Sequence, residues 1–164
     1  LSEKYKGQLA FIFRNYPLPT LHPNARAAAA AAEAAGLQGK YWEMHNKLYE
    51  NKSTWKNQSG SDRTNTFASF ATSLGLNKDT FLKDIDSSAV LAKIDYDVAL
   101  GKKAGVTGTP SIFVQGKMAD QSVKDGKLVA ANSTDPLVWA DQTNFDTLIL
   151  QPAFKAAGVD ILSK

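Results

Sequence analysis

Gly105-Val106-Thr107-Gly108-Thr109-Pro110-Ser111-Ile112-Phe113-Val114 is the stretch whose reading decides the fold. Two glycines and a proline mark a tight turn, and Ser111 to Val114 reads as a strand that Gln115-Gly116 ends. A proline can open a strand because its missing N–H need not pair there. An ordinary trans-proline turn and a cis Thr109-Pro110 turn both fit this local sequence. In the second case the Thr109 backbone stands exposed beside the strand end, where another extended chain can pair with it.

On the N-terminal side lies a block of helical patterns. Ser88 to Ala104 carries Leu91, Ile94 and Val98 at helical spacing and closes at Gly105. Asn77 caps a short helix with Phe81, Leu82 and Ile85. Arg63 to Leu74 presents Phe67, Phe70, Ala71 and Leu74 on one face and ends at Gly75. Asn51 to Asp62 is polar and reads as a loop holding Trp55. Lys40 to Glu50 is a helix with Tyr41, Trp42, His45, Leu48 and Tyr49 on one stripe, read as core packing rather than a stacking platform. Asn24 to Ala35 contains six consecutive alanines, the best helix formers, and Gly36 is its expected cap. Before it, Leu9-Ala10-Phe11-Ile12-Phe13 is an apolar run with strand composition, followed by Pro17, Pro19 and Pro23.

On the C-terminal side, Lys127 to Ala131 is a further strand after the turn-like Asp125-Gly126. Asn144 to Ala157 is a helix with Phe145, Leu148 and Ile149 inward, which Pro152 should kink or split. The order is therefore strand, helical block, strand, strand, helix, with no internal repeat.

Composition narrows the function. The 164 residues suffice for one domain with a real core. The net charge of +3 comes from scattered lysines without a basic run, so no nucleic-acid partner is expected. No apolar stretch is long enough for a membrane span. Cysteine is absent, which excludes disulfides, thiolate metal sites and cysteine nucleophiles from this chain. His22 and His45 are the only histidines and have no metal-ligand spacing; no metal and no cofactor is expected, and His45 reads as a satisfied core histidine. Asp84, Asp86, Asp95 and Asp97 read as exposed helix charges. No nucleophile elbow, P-loop or dinucleotide fingerprint occurs.

Four pieces in this order resemble the DsbA-like thioredoxin-fold family: Leu9 to Leu18; His22-Pro23-Asn24-Ala25 with the alanine run and Gly39 to His45; Leu48 to Asn51 with Trp55; and Gly105 to Ser111. The resemblance implies an α/β, thioredoxin-like fold as a single domain over 1–164 with an inserted helical subdomain over 24–104. It implies that Pro110 is cis and that Thr109 and Pro110 bind an extended polypeptide substrate. It also implies an extracytoplasmic setting, periplasmic or cell-envelope, in which the family forms or reshuffles disulfides of exported proteins. The family's redox Cys-x-x-Cys lies upstream of the segment matching Leu9. Leu1 to Lys6 look like the last turns of the helix that follows that motif. The first strand and most of the first helix are then missing, and no catalytic residue can be assigned. Loss of a central strand leaves backbone groups on its neighbours unmet, at roughly 1–3 kcal/mol for each buried one. The chain is then expected to be a fragment of a longer oxidoreductase, with strand exchange between copies as the second route. A redox-inactive, thioredoxin-like domain that binds peptides or partners is the alternative, and an unrelated α/β hydrolase or isomerase the third reading.

Overall fold

The computed structural model describes residues 1–161, so the last three residues of the expected 1–164 domain lie outside the described residues. The chain divides into two compact units: one formed by 14–107, the other by 1–13 together with 108–164.

The unit 14–107 is helical. Its elements are α1 (Ala25–Gly36), α2 (Tyr41–Glu50), α3 (Lys52–Trp55), α4 (Gly60–Ser73), α5 (Lys78–Asp84) and α6 (Ser88–Lys103). The alanine run makes α1 the central helix, because side chains this small let neighbours approach closely. It packs against α2, α4, α5 and α6. Ala31, Ala34 and Ala35 are fully buried beside Met44, Phe67, Phe81 and Ile94. The Asn77 side chain caps α5 by accepting from the Thr80 N–H, and Ser87 caps α6 by accepting from Val90.

Gly36 is the last helical residue of α1 rather than its left-handed cap; the positive φ falls on Gly39. What Gly36 provides is space, since a Cβ there would meet the Tyr41 Cβ at 3.3 Å. Gly101 in α6 has the same role more severely. A Cβ on it would lie 2.6 Å from the Tyr16 ring, whose hydroxyl donates to the Val106 carbonyl at 2.9 Å.

Four details of this unit differ from the sequence reading. The segment around Trp55 is not a plain loop: it forms α3 and buries Trp55, whose indole N–H donates to the Leu48 carbonyl at 2.8 Å. The inward face of α2 is Met44 and Leu48, with Tyr41 half-buried, while Trp42 and Tyr49 are exposed and His45 is half-buried against both their rings. Ring size favours the aromatic stripe as the core face, but the aliphatic side chains of Met44 and Leu48 fill that space instead. The inward face of α6 is Val90, Ile94 and Asp97, so Asp97 is buried where an exposed charge was expected, and Leu91 and Val98 are only half-buried.

The second unit holds two antiparallel hairpins. In the first, β1 (Phe113–Val114) pairs with β2 (Lys117–Met118); in the second, β3 (Ser122–Lys124) pairs with β4 (Lys127–Val129). Each turn has two consecutive positive-φ residues, Gln115-Gly116 and Asp125-Gly126, the conformation that suits the right-handed twist of a two-residue hairpin. The expected strands Ser111–Val114 and Lys127–Ala131 are thus present in shortened form. Leu9–Phe13, expected as a strand, belongs to neither sheet. Strand composition alone forms no strand, because the backbone of an extended segment is satisfied only by a neighbour.

The C-terminal helix runs as α7 (Gln142–Phe145), a π-turn (Asp146–Leu150) and α8 (Gln151–Ala156). Pro152 falls in the first turn of α8, and the π-turn just before it absorbs the missing donor, so the proline neither stops the helix nor stands in its interior. Leu150 and Phe154 of this helix bury Tyr5, whose ring lies 4.8 Å from that of Phe154. Leu1 to Leu9 coil in turns rather than a regular helix, with the Tyr5 N–H on the Leu1 carbonyl at 3.0 Å and the Leu9 N–H on that of Tyr5 at 2.9 Å.

Candidate functional site

The two predicted site residues lie side by side at the entrance to β1. Thr109 and Pro110 are exposed, and the peptide bond between them is cis. The Ser111 hydroxyl donates to the Gly108 carbonyl at 2.8 Å, which ties the loop across its own base. Ile112 accepts from the Ala119 N–H at 2.8 Å, so the loop runs directly into the first hairpin. The result is a fixed, outward-facing backbone at the end of a strand. Gly105 to Val114 contains no histidine, cysteine or carboxylate; its side-chain polar groups are the hydroxyls of Thr107, Thr109 and Ser111.

Three polar clusters lie outside the sequence reading. In the helical unit, the Asp97 side chain is fully buried and gathers the residues that precede the proline-rich segment. Its carboxylate accepts from the Arg14 guanidinium at 3.0 Å, from the Asn15 backbone N–H at 3.1 Å and from the Lys93 ammonium at 2.5 Å. The Asn15 amide also donates to Glu33 of α1 at 2.6 Å. Burial by itself pushes the Asp97 carboxyl up, but Lys93, the Asn15 N–H and Arg14 outweigh it and hold the pKa below the ordinary carboxylate value. Asn24, also buried, reaches the carbonyls of Trp55, Lys56 and Gln58 with its amide nitrogen and accepts from Arg63 with its oxygen. Burial pushes the Tyr41 hydroxyl up, out of the ordinary phenol range.

In the other unit, the Tyr5 hydroxyl donates to the buried Asp146 carboxylate, and Lys4 pairs with the same group at 2.5 Å. Burial raises the Asp146 carboxyl, and the Lys4 and Tyr5 contacts more than reverse that. These clusters fasten segments that are distant in the chain to one another. The sequence signal for Asp97 was its place at i+3 from Ile94 on the apolar stripe and at i+4 from Lys93.

His22 is exposed and His45 is half-buried on α2, with Nδ1 3.1 Å from the Asn46 side-chain oxygen. Among the described residues, no group of three or more His, Cys, Asp or Glu is placed to hold a metal ion. Among them, too, no helix is long and apolar enough to cross a membrane.

Residues 4–129 match the model of the DSBA-like thioredoxin domain, a span that includes the Thr109–Pro110 loop. The chain belongs to this family. A thioredoxin-like oxidoreductase from Silicibacter pomeroyi shares the fold with a TM-score of 0.50 and 27% identity, over 88% of this chain and 66% of that one. The α/β fold read from the four sequence pieces is therefore the observed one, thioredoxin-like and rich in helix. The chain is also 34% identical to Na(+)/H(+) antiporter NhaA 1 of Salinispora arenicola, over 75% of this chain and 18% of that protein. The antiporter of the same name from Mycolicibacterium vanbaalenii is 34% identical over 68% of this chain and 17% of its own length. The chain thus spans less than a fifth of these curated relatives and just under two thirds of the solved neighbour.

Proposed function

We propose that this chain is part of an extracytoplasmic thiol–disulfide oxidoreductase acting on cysteines of exported proteins. In this reading Thr109 and Pro110 hold the substrate polypeptide extended against the end of β1. The observation that carries it is the exposed Thr109–Pro110 backbone, tied by Ser111 and lying inside the span that matches the DSBA-like domain. Exchange requires a thiolate, and the 164 residues contain no cysteine. The chain by itself is then a substrate-binding body without a nucleophile, inert in dithiol exchange and in need of no cofactor. The inserted helical part, drawn over 24–104 and folding as the unit 14–107, belongs with the remainder as one domain in this proposal.

The absence of cysteine favours one second reading, a redox-inactive thioredoxin-like domain that binds peptides or partners. The antiporters named above contain a matching stretch within much longer chains, as an appended binding domain would. Intact mass and thiol count of the protein from its native source, under denaturing and reducing conditions, separate the two. A heavier protein with at least two thiols, one pair of them redox-active, supports the oxidoreductase. A protein without a redox-active pair overturns it and leaves the binder. For the loop itself, titration with an extended peptide should shift the amide resonances of Thr109 and Ser111 before those of the helical unit. Unchanged resonances at both would remove the loop from substrate binding.

A further inference from the structure

Arg14-Asn15-Tyr16 has no regular structure of its own and is held along one face of α6. Asp97 takes the Arg14 guanidinium at 3.0 Å and the Asn15 N–H at 3.1 Å. One turn further on, the Tyr16 ring lies against Gly101, where a Cβ would fall 2.6 Å from it. Past the end of the helix, the Tyr16 hydroxyl donates to the Val106 carbonyl at 2.9 Å. Pro17 favours extended backbone at the residue before it, which keeps Tyr16 out of a helical turn. Val106 is thus fixed on both of its peptide groups. Its N–H returns to the Gly101 carbonyl at 2.9 Å, the bond that closes α6 through the left-handed Gly105. Its C=O, the group that faces onward along the chain, has the Tyr16 hydroxyl as its partner. The next bonded backbone group is the Gly108 carbonyl, which accepts from Ser111, and exposed Thr107 and Thr109 flank that glycine.

We propose that Tyr16 is a positioning residue for the peptide-binding loop. By holding the Val106 carbonyl it fixes the backbone shortly before Thr109 and keeps Thr109 ready to pair with an extended chain. This rests on the reading of Thr109 and Pro110 as substrate-binding residues, and it adds the residue that keeps them in place. Tyr16 and Val106 both belong to the helical unit, and the effect on the loop passes along the chain. A backbone ordered before binding spares its ligand the cost of ordering it, so loss of the anchor weakens binding without removing a contact to the ligand. A hydrogen bond of ordinary net strength corresponds to about a five-fold change in an equilibrium, which sets the size of the effect.

Tyr16→Phe tests this, because it keeps the ring against Gly101 and removes only the donor. In the wild-type chain, nitrogen-15 relaxation should give Thr107, Gly108 and Thr109 backbone order parameters near the rigid value of about 0.85. In Tyr16→Phe they should fall toward about 0.6, with those of Phe81 and Ile94 unchanged. Binding of a synthetic, cysteine-free peptide rich in Val and Thr should weaken about five-fold. Tyr5→Phe, which removes the hydroxyl bond to Asp146, should leave loop order and peptide affinity at their wild-type values and so separates positioning from a general loss of stability. Four results overturn the proposal. They are low order parameters at Thr107 to Thr109 in the wild type, unchanged loop order or unchanged peptide affinity in Tyr16→Phe, an equal loss in Tyr5→Phe, and loss of the helical far-UV circular dichroism in Tyr16→Phe, which would make the hydroxyl structural. If the wild-type chain binds no peptide, the substrate reading fails by itself, and the order parameters still decide whether Tyr16 holds the loop.

Discussion

The helical unit and the hairpin unit contain similar proportions of apolar side chains but use them differently. Residues 14–107 bury Phe67, Phe81, Met44 and Ile94 almost completely around the alanine helix α1. Residues 1–13 and 108–161 form two small clusters, Tyr5 with Leu150 and Phe154, and Ala119 with Val123 and Val138. They leave Phe11, Ile12, Phe113 and Leu128 exposed. A helix satisfies its backbone within its own segment, so a block of six can close a core from local pieces. A strand satisfies its backbone only through a neighbour, and strands of two or three residues have little ladder to offer.

Four substitutions would break or sharpen this contrast. The largest expected effect is Phe81→Ala. It opens a cavity in the helical core and should cost about 3–5 kcal/mol, read as a lower urea midpoint of Trp55 fluorescence. A loss below about 1 kcal/mol would mean that this core is no better packed than the hairpin clusters.

Next is Asp97→Ala, expected to cost about 3 kcal/mol because the Asn15 N–H stays buried without an acceptor and Arg14 and Lys93 lose their counter-charge. The pH dependence has a definite sign. The folded pKa of Asp97 lies below its ordinary value of 3.8. Its contribution is therefore complete above about pH 4 and is lost as the pH falls through the lower folded value. Acid titration of the helical signal should show a transition below about pH 4 that is weakened in Asp97→Ala. An identical acid profile in the two proteins would remove Asp97 as its cause.

Gly101→Ala should cost about 1–3 kcal/mol, since the new methyl group overlaps the Tyr16 ring. Truncating that ring in Tyr16→Ala should make the second change nearly neutral; a thermal-melt double-mutant cycle with no coupling would contradict the contact.

The smallest effect is Tyr5→Phe in the hairpin unit, about 1 kcal/mol, because Asp146 keeps Lys4 when the hydroxyl goes. Hydrogen exchange at the Leu150 and Phe154 amides should report it. If this change costs more than Asp97→Ala, the ranking of the two units is reversed.

Legibility in the sequence followed the same division. Five helices, the cap Asn77 and the Asp125-Gly126 turn were readable, because each depends on contacts within a few residues. So was the Thr109–Pro110 loop, through its glycines and the strand that follows. The buried Asp97 was not, because its partners Arg14 and Asn15 lie more than eighty residues away. Neither was Tyr5 on Asp146, for the same reason. The inward face of α2 was not legible either, because it is set by the packing of α1 and α4 against that helix and not by ring size.

The amino-acid order by itself determined that five helices form between Asn24 and Ala104, where the Asp125-Gly126 turn falls, and that no residue of this chain can exchange a disulfide. Capping, left-handed turns and the presence of a thiol are local or compositional properties. Tertiary structure alone decided which face of each helix is inside, why a side chain at Gly101 would collide with Tyr16, and that Leu9–Phe13 stays out of both sheets. Those outcomes depend on surfaces brought together from distant parts of the chain, and only the folded arrangement of neighbours fixes them.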